Sequence, residues 1–294
     1  MSAQIVAVEP GAAAGALVYW SLSGPVSLLD LQVELAAEGL DEGFAPAPPS
    51  KDVALHRAAV AAIAGKRDLV RPLGGKRQGY VLVTERLAQE SNGKNLEYTE
   101  RVVCTVERQK DGAATLQVRP VMPEDQDLAD AILASARAQE GVLTAMDVSS
   151  WLLWVLRHHV QAVSLRERGG FYFVPRDRLP VWRQVVAVVR ACSGHRLFEI
   201  PAMRTEEAVE AILTAIRDEA AERMAEMEAY LAGEVSTRGL NSWERRLGEL
   251  QEKLAHYAEL LGVALPDLDA KAITLKGAVQ AARIVAASQP EAAQ

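Results

Sequence analysis

The chain has 294 residues, 49% of them hydrophobic and 24% charged, with a net charge of −7. That composition excludes a disordered chain and is long enough for about two domains with real cores. Strictly apolar runs such as Trp151–Leu156 fall far short of the roughly 20 residues a membrane helix needs, so no membrane partner is expected.

The N-terminal stretch carries no Lys or Arg before Lys51, and Glu9 precedes the apolar Ala12–Trp20, which argues against a secretory signal. Ala16–Leu22 is a short apolar run closed by Gly24-Pro25 and reads as a strand. Ser27 then opens a helix with Leu28, Leu31 and Leu35 on one face, ended at Gly39. Pro46, Pro48 and Pro49 mark a loop, and Val53–Ile63 reads as a second helix. Leu69–Leu73 and Tyr80–Thr84 read as strands around a basic turn at 74–79. Leu96–Glu107 and Ala114–Arg119 flank Gln109-Lys110-Asp111-Gly112, the pattern of a β-hairpin with an Asp-Gly turn. Val102, Cys104 and Val106 alternate with Val103, Thr105 and Glu107, which leaves the buried face open.

Pro123 followed by Glu124, Asp125 and Asp127 predicts a helix start, with acids facing the positive end of the dipole; that helix runs to about Gln139. A next helix, capped by Asp147, begins Trp151-Leu152-Leu153-Trp154-Val155-Leu156 and is apolar on every side, as a buried helix would be. After Gly169-Gly170, Phe171–Val174 reads as a strand ended by Pro175, with Phe171 and Phe173 pointing one way and Tyr172 the other. A helix opening at Asp177 or Pro180 puts Trp182, Val185, Val186 and Val189 on one face, although its valines also suit a strand. Leu197–Ile200 is a short strand closed by Pro201.

The C-terminal third carries the clearest periodicity. Leu240, Trp243, Leu247, Leu250, Leu254, Tyr257 and Leu261 recur at alternating spacings of three and four, a heptad seam. Leu213, Ile216, Ala220, Met224, Met227 and Leu231 follow nearly the same rhythm upstream, with Glu219 and Arg223 placed to pair across one turn. Gly233 and Gly239 bracket the break, which predicts an antiparallel hairpin that pairs with itself or with a partner protein. A third helix, from Leu268 to about Val285, presents Leu268, Leu275, Val279 and Ala282, and Pro290–Gln294 should fray.

Charge is sorted along the chain. Lys and Arg minus Asp and Glu give −5 for 1–63, +4 for 64–119, −5 for 120–150, +6 for 151–204 and −7 for 205–294. The +6 segment has nine arginines and no lysine, interleaved with Trp151, Trp154, Phe171, Tyr172, Phe173, Trp182 and Phe198. Guanidinium groups among aromatic rings suit a phosphate-rich, base-stacking partner. The plainer reading is a packed module whose arginines bridge to the acidic flanks.

Candidate chemistry mostly fails on spacing. Gly74-Gly75-Lys76 lacks the Ser/Thr and the helix that a phosphate loop requires, and Gly65-Lys66 has Val60 where the first glycine belongs. Cys192 and His195 are spaced as half a zinc site or a thiolate–imidazole pair, but no second ligand pair is evident: Cys104 is isolated and His158-His159 are adjacent. Two cysteines suit a reducing compartment rather than a disulfide framework, so a cytoplasmic location is expected. The carboxylate pairs Asp30/Glu34 and Glu206/Glu207 lie on exposed helical faces, with nothing to set them opposite each other.

Leu165-Arg166 followed by Gly169-Gly170-Phe171-Tyr172-Phe173-Val174-Pro175 resembles a stretch of uncharacterised phage- and mobile-element-associated proteins. The resemblance implies a context and no activity. Two helices followed by a Gly-Gly strand also match a winged-helix order, with Asp147–Val163 as the recognition helix, although that helix is too apolar to face DNA and a second wing strand is missing.

The sequence therefore predicts an α+β protein in three segments: an α+β part at 1–122, a mixed Arg- and aromatic-rich module at 123–204, and a helical hairpin plus third helix at 205–288. The expected function is a non-catalytic interaction or scaffold protein without metal or cofactor. Its contact set is Arg166, Arg168, Tyr172, Arg176, Arg178 and Arg183, and the alternative use of the same module is nucleic-acid binding.

Overall fold

The computed structural model describes residues 13–64, 68–74, 78–90, 93–109, 113–167, 169–233 and 235–288, without the side chains of 87–95 and 285–288. The chain divides into two compact units drawn from non-contiguous stretches. One gathers the chain through Leu22, Leu152–Ala187 and His195 onward; the other holds Ser23–Trp151 and Val188–Gly194. The segments 1–122 and 123–204 each span both units, whereas 205–288 lies within the first. The α+β class holds: the elements are antiparallel sheets and helices, with the last three helices consecutive.

In the Ser23–Trp151 unit, Ser27 caps α1 (Leu28–Ala37) by accepting from the Asp30 amide, and Leu28, Leu31 and Leu35 are buried as their spacing requires. Ser50 caps α2 (Lys51–Ala62) in the same way. Strands β3 (Asp68–Pro72), β4 (Gly79–Glu90), β5 (Gly93–Arg108) and β6 (Ala114–Pro120) form an antiparallel meander. Strands β4 and β5 are much longer than the apolar alternation suggested, because the pairing continues outward into polar residues down to Glu90↔Gly93. The hairpin read from Gln109 onward forms as expected, with Gln109 donating to the Ala113 carbonyl; its tip at 110–112 lies outside the described residues, as do Gly75, Lys76 and Arg77. The open question of faces is settled: Val102 and Cys104 point into the core with Leu82 and Leu116, against α2 and α3 (Gln126–Gln139). A short ladder pairs β2 (Val26–Ser27) with β7 (Val142–Leu143).

Helix α4 (Ala145–His158) is capped by Thr144 and not by Asp147. The Thr144 hydroxyl accepts from the Asp147 amide at 3.3 Å, and the Asp147 carboxylate accepts from the Thr144 amide at 2.8 Å, a reciprocal capping box. The run Trp151–Leu156 is not buried on every side, because its two middle residues, Leu153 and Trp154, are exposed. Six consecutive apolar residues complete more than one helical turn, so a helix packed on one side must show part of such a run to water.

The other unit is built on a four-stranded antiparallel sheet. In spatial order its strands are β10 (Arg196–Met203), β1 (Ala13–Ser21), β9 (Tyr172–Pro175) and β8 (Val163–Ser164). With β9 paired on both sides inside this sheet, it is no wing, and α4 ends at His158, so the winged-helix order is overturned. Pro201 does not close β10 but sits inside it, opposite Ala16, on the edge strand where a missing N–H is tolerated. Helix α5 (Leu179–Cys192) is helical despite its valines; Trp182, Val185, Val188 and Val189 are buried.

Helices α6 (Glu206–Leu231), α7 (Thr237–Leu261) and α8 (Pro266–Ser288) close the chain. The contacts Tyr230–Trp243, Glu219–Lys253 and Arg204 to the Leu261 carbonyl make α6 and α7 antiparallel. Every leucine of the seam is buried, as is Tyr257; Trp243 is half-buried and packs beside Tyr230. The seam faces Ile212, Ile216, Met224 and Met227 of α6 and Ala272, Leu275 and Val279 of α8, so it is filled within the chain instead of being offered to another one. Gly239 does not break the hairpin. It lies in the first turn of α7, which Ser236 caps.

Candidate functional site

The register of the four-stranded sheet sorts its residues onto two faces. On one face lie Arg196, Phe198, Ile200 and Ala202 of β10, opposite Ser21, Tyr19, Leu17 and Gly15 of β1. Phe173 of β9, opposite Leu17, shares that face. Half of it is closed: Phe173 and Ala202 join the core of α6, α7 and α8, and Phe173 packs 6.2 Å from the Tyr257 ring. Gly15 is required there, because a Cβ would lie 2.7 Å from the Phe173 ring and against the Val174 carbonyl.

The other half of this face is open. Tyr19 stacks on Phe198 with ring centroids 4.7 Å apart and planes 13° apart, and meets Phe171 on its other side at 5.0 Å. Three rings thus form a row across three adjacent chain segments. Phe171 is 40% exposed, Phe198 37% and the neighbouring Ile200 45%. Exposed Arg196 precedes Phe198 on the same face of β10. Exposed Arg166 brings its guanidinium to within 4.0 Å of where a Gly170 side chain would begin, one residue before Phe171. Among the described residues, no acid stands within salt-bridge distance of either arginine. The one carboxylate in β1, β9 and β10, Glu199, lies on the opposite face.

That opposite face takes several residues of the expected contact set. Tyr172 stacks on Trp20 at 5.3 Å and 7°, beside Trp182 of α5, and its hydroxyl accepts from the Gly170 amide. Arg183 holds Glu199 through both Nε and Nη2, which raises the guanidinium pKa further; the hydrogen bond to Glu199 is the main cause. Arg178 lies 3.3 Å from Asp177, and Arg176 is exposed on the short turn between β9 and α5. Arg168 lies outside the described residues. The six residues therefore do not converge: Arg166 borders the aromatic row, whereas Tyr172 and Arg183 are used on the far side of the sheet. Tyr19, Phe198 and Arg196 belong to the row and were absent from the expected set. Tyr19 stands more than 150 residues from each of its ring partners in sequence, so no local spacing joins them.

A second polar cluster lies in the same unit beneath the sheet. Lys253, buried on α7, donates to the Ala162 carbonyl at 2.7 Å and to Glu219 at 2.8 Å; Glu219 also takes Arg223 one turn along α6. Burial lowers the Lys253 pKa, and Glu219 opposes that shift. One turn away His256 bridges Gln161 and Asp177, and the Tyr257 hydroxyl donates to the Gln161 carbonyl. Gln161 itself has φ of 50°. These contacts fasten α7 to the turn before β8.

Neither cysteine is poised for chemistry. Burial pushes the Cys104 thiol up to about 12 and also raises that of Cys192. Among the described residues no three His, Cys, Asp and Glu side chains cluster as a metal would need. No helix of the described residues is long and apolar enough to cross a membrane.

Fold and surface together define an α+β protein that braces a small antiparallel sheet with a three-helix bundle and leaves an aromatic row open on it. Residues 14–288 match the family of unknown function DUF6744, and the chain belongs to that family. No curated protein and no solved structure matches the chain.

Proposed function

We propose that this protein is a non-catalytic interaction protein that seats a partner on the open aromatic end of its four-stranded sheet. The phage or mobile-element context implied by Leu165–Pro175 is part of the proposal. One observation carries it: Phe198, Tyr19 and Phe171 stand in a row with their outer members exposed, on a face whose other end packs, through Phe173 and Ala202, into the helical core. Rings held rigid by strands at low conformational cost are what an interface core uses, and a contiguous exposed apolar patch marks such a place. The bundle of α6, α7 and α8 supports the sheet in this reading, because its seam is already filled. Burial raises both thiols, and Lys253 is buried and engaged by Glu219 and the Ala162 carbonyl, which favours binding over catalysis.

The test compares the tagged wild-type chain with a Phe171→Ala, Phe198→Ala double variant, each recovered from cells that carry the protein naturally. Both rings are exposed, so the double variant should melt close to the wild type yet lose whatever component the wild type retains. Retention of the same components by a folded double variant overturns the proposal.

A further inference from the structure

We infer that the partner of the aromatic row is a single-stranded nucleic acid, an inference that rests on the interaction reading above. A base offers a flat π-face on either side, and exposed protein rings stack on it whatever its identity. The ring row supplies this chemistry at two places. Phe198 lies on β10, the edge strand of the sheet, and among the described residues no further strand stands beyond it. Phe171 just precedes β9, beside a two-residue β8, and is equally exposed. Between them Tyr19 fixes both rings, so the stacking platform is formed before a ligand arrives.

Charge argues for nucleic acid over an apolar peptide. Arg196 accompanies Phe198 along β10, and Arg166 borders Phe171 by way of Gly170, so each stacking ring has a guanidinium at hand for a phosphate. Within β1, β9 and β10 the one acid, Glu199, is turned to the other face and engaged by Arg183. The surrounding segment 151–204 carries +6 in a chain whose total is −7. A protein partner that buried this row would have to bring carboxylates to both ends, whereas a phosphodiester chain brings them as a repeat. Bases in a duplex hide their faces in the stack, so the unpaired form is the one selected.

Fluorescence anisotropy on the full chain tests this with three labelled probes: oligothymidylate, oligouridylate and a mixed-sequence duplex. Both single strands, or one of them, should bind more tightly than the duplex; the comparison between them tells DNA from RNA. Affinity should fall with salt on a log–log slope of about −1.4, as two phosphate contacts to a single strand give, and Arg166→Ala or Arg196→Ala should each reduce that slope by about 0.7. Phe171→Leu and Phe198→Leu keep an apolar side chain but remove the π-face, and each should weaken binding by about 5- to 150-fold. No binding of either single strand at low salt, equal binding of duplex, or indifference to both Phe→Leu changes overturns the inference. If the nucleic-acid probes fail while a co-purifying protein still depends on Phe171 and Phe198, the interaction reading stands and this inference alone falls.

Discussion

Arg101 shows how one residue can be repurposed by a local irregularity. Strands β4 and β5 pair Leu82 with Val102 and Val83 with Glu100, so Arg101 is the extra residue of a β-bulge. The bulge turns its guanidinium onto two buried carboxylates, Asp68 at 2.7 Å and Asp125 at 2.5 Å, and the Thr84 hydroxyl also donates to Asp68. The hydrogen bond to Asp125 is the largest influence on Arg101, and together with Asp68 it outweighs burial and raises the pKa. Arg101→Met should therefore cost about 3–5 kcal/mol in urea unfolding, since two buried carboxylates lose their cation at once. A loss no larger than that of an ordinary surface arginine would mean that water already serves both acids. Asp147 gives a pH signature. Burial alone would raise its pKa, but the Thr144 amide and hydroxyl and Arg57 at 2.7 Å overcome this and hold it below the usual carboxylate value. A depressed folded pKa contributes stability that is present above the unfolded value near pH 3.9 and is lost as the pH falls through the folded one. Wild-type stability should thus drop more steeply below about pH 4 than that of Asp147→Asn; parallel acid curves would refute the assignment.

At the scale of elements, helices with caps and periodicity were legible and sheet partners were not. Ser27 with Leu28, Leu31 and Leu35 announces α1 because cap and face agree, and the heptad residues announce α7 for the same reason. Pro201 looks like a terminator and hides the last three residues of β10, yet an edge strand has no use for that missing N–H. Lys253 was invisible as a buried residue, since a heptad position next to Leu254 ordinarily points a lysine to water. Only tertiary structure supplies its partners, Glu219 and the Ala162 carbonyl. The seam itself makes a clean prediction. Leu250 is buried against α6 and α8, and Leu250→Ala should cost about 2–5 kcal/mol, whereas exposed Glu252→Ala should stay within about 0.5 kcal/mol. Equal melting temperatures for the two variants would mean that the seam is unpacked.

For the whole molecule, the decisive unknown in the sequence was which surfaces the chain satisfies by itself. A heptad pattern states that an apolar stripe must be covered, but it is silent on whether the cover comes from the same chain. The aromatic row illustrates the reverse case: Tyr19, Phe171 and Phe198 meet only because a sheet unites the three stretches of a non-contiguous unit. In the bundle the cover is internal, from α6 on one side and α8 on the other. The turn that returns α7 onto α6 is also fastened: the Tyr230 hydroxyl accepts from the Ser236 amide at 3.0 Å and donates to the Ser236 carbonyl, while Ser236 caps α7. Exchanging α6 with a second copy would require opening this turn and re-forming the same core, with no additional apolar surface gained from the seam. Light scattering should therefore give the mass of a single chain, 31.8 kDa, over a wide concentration range. Tyr230→Phe removes only the hydroxyl of the fastened turn and should lower stability by about 0.5–1.5 kcal/mol without changing that mass. A two-chain mass that reverts to one on Leu250→Ala would place the seam between chains and overturn the internal assignment.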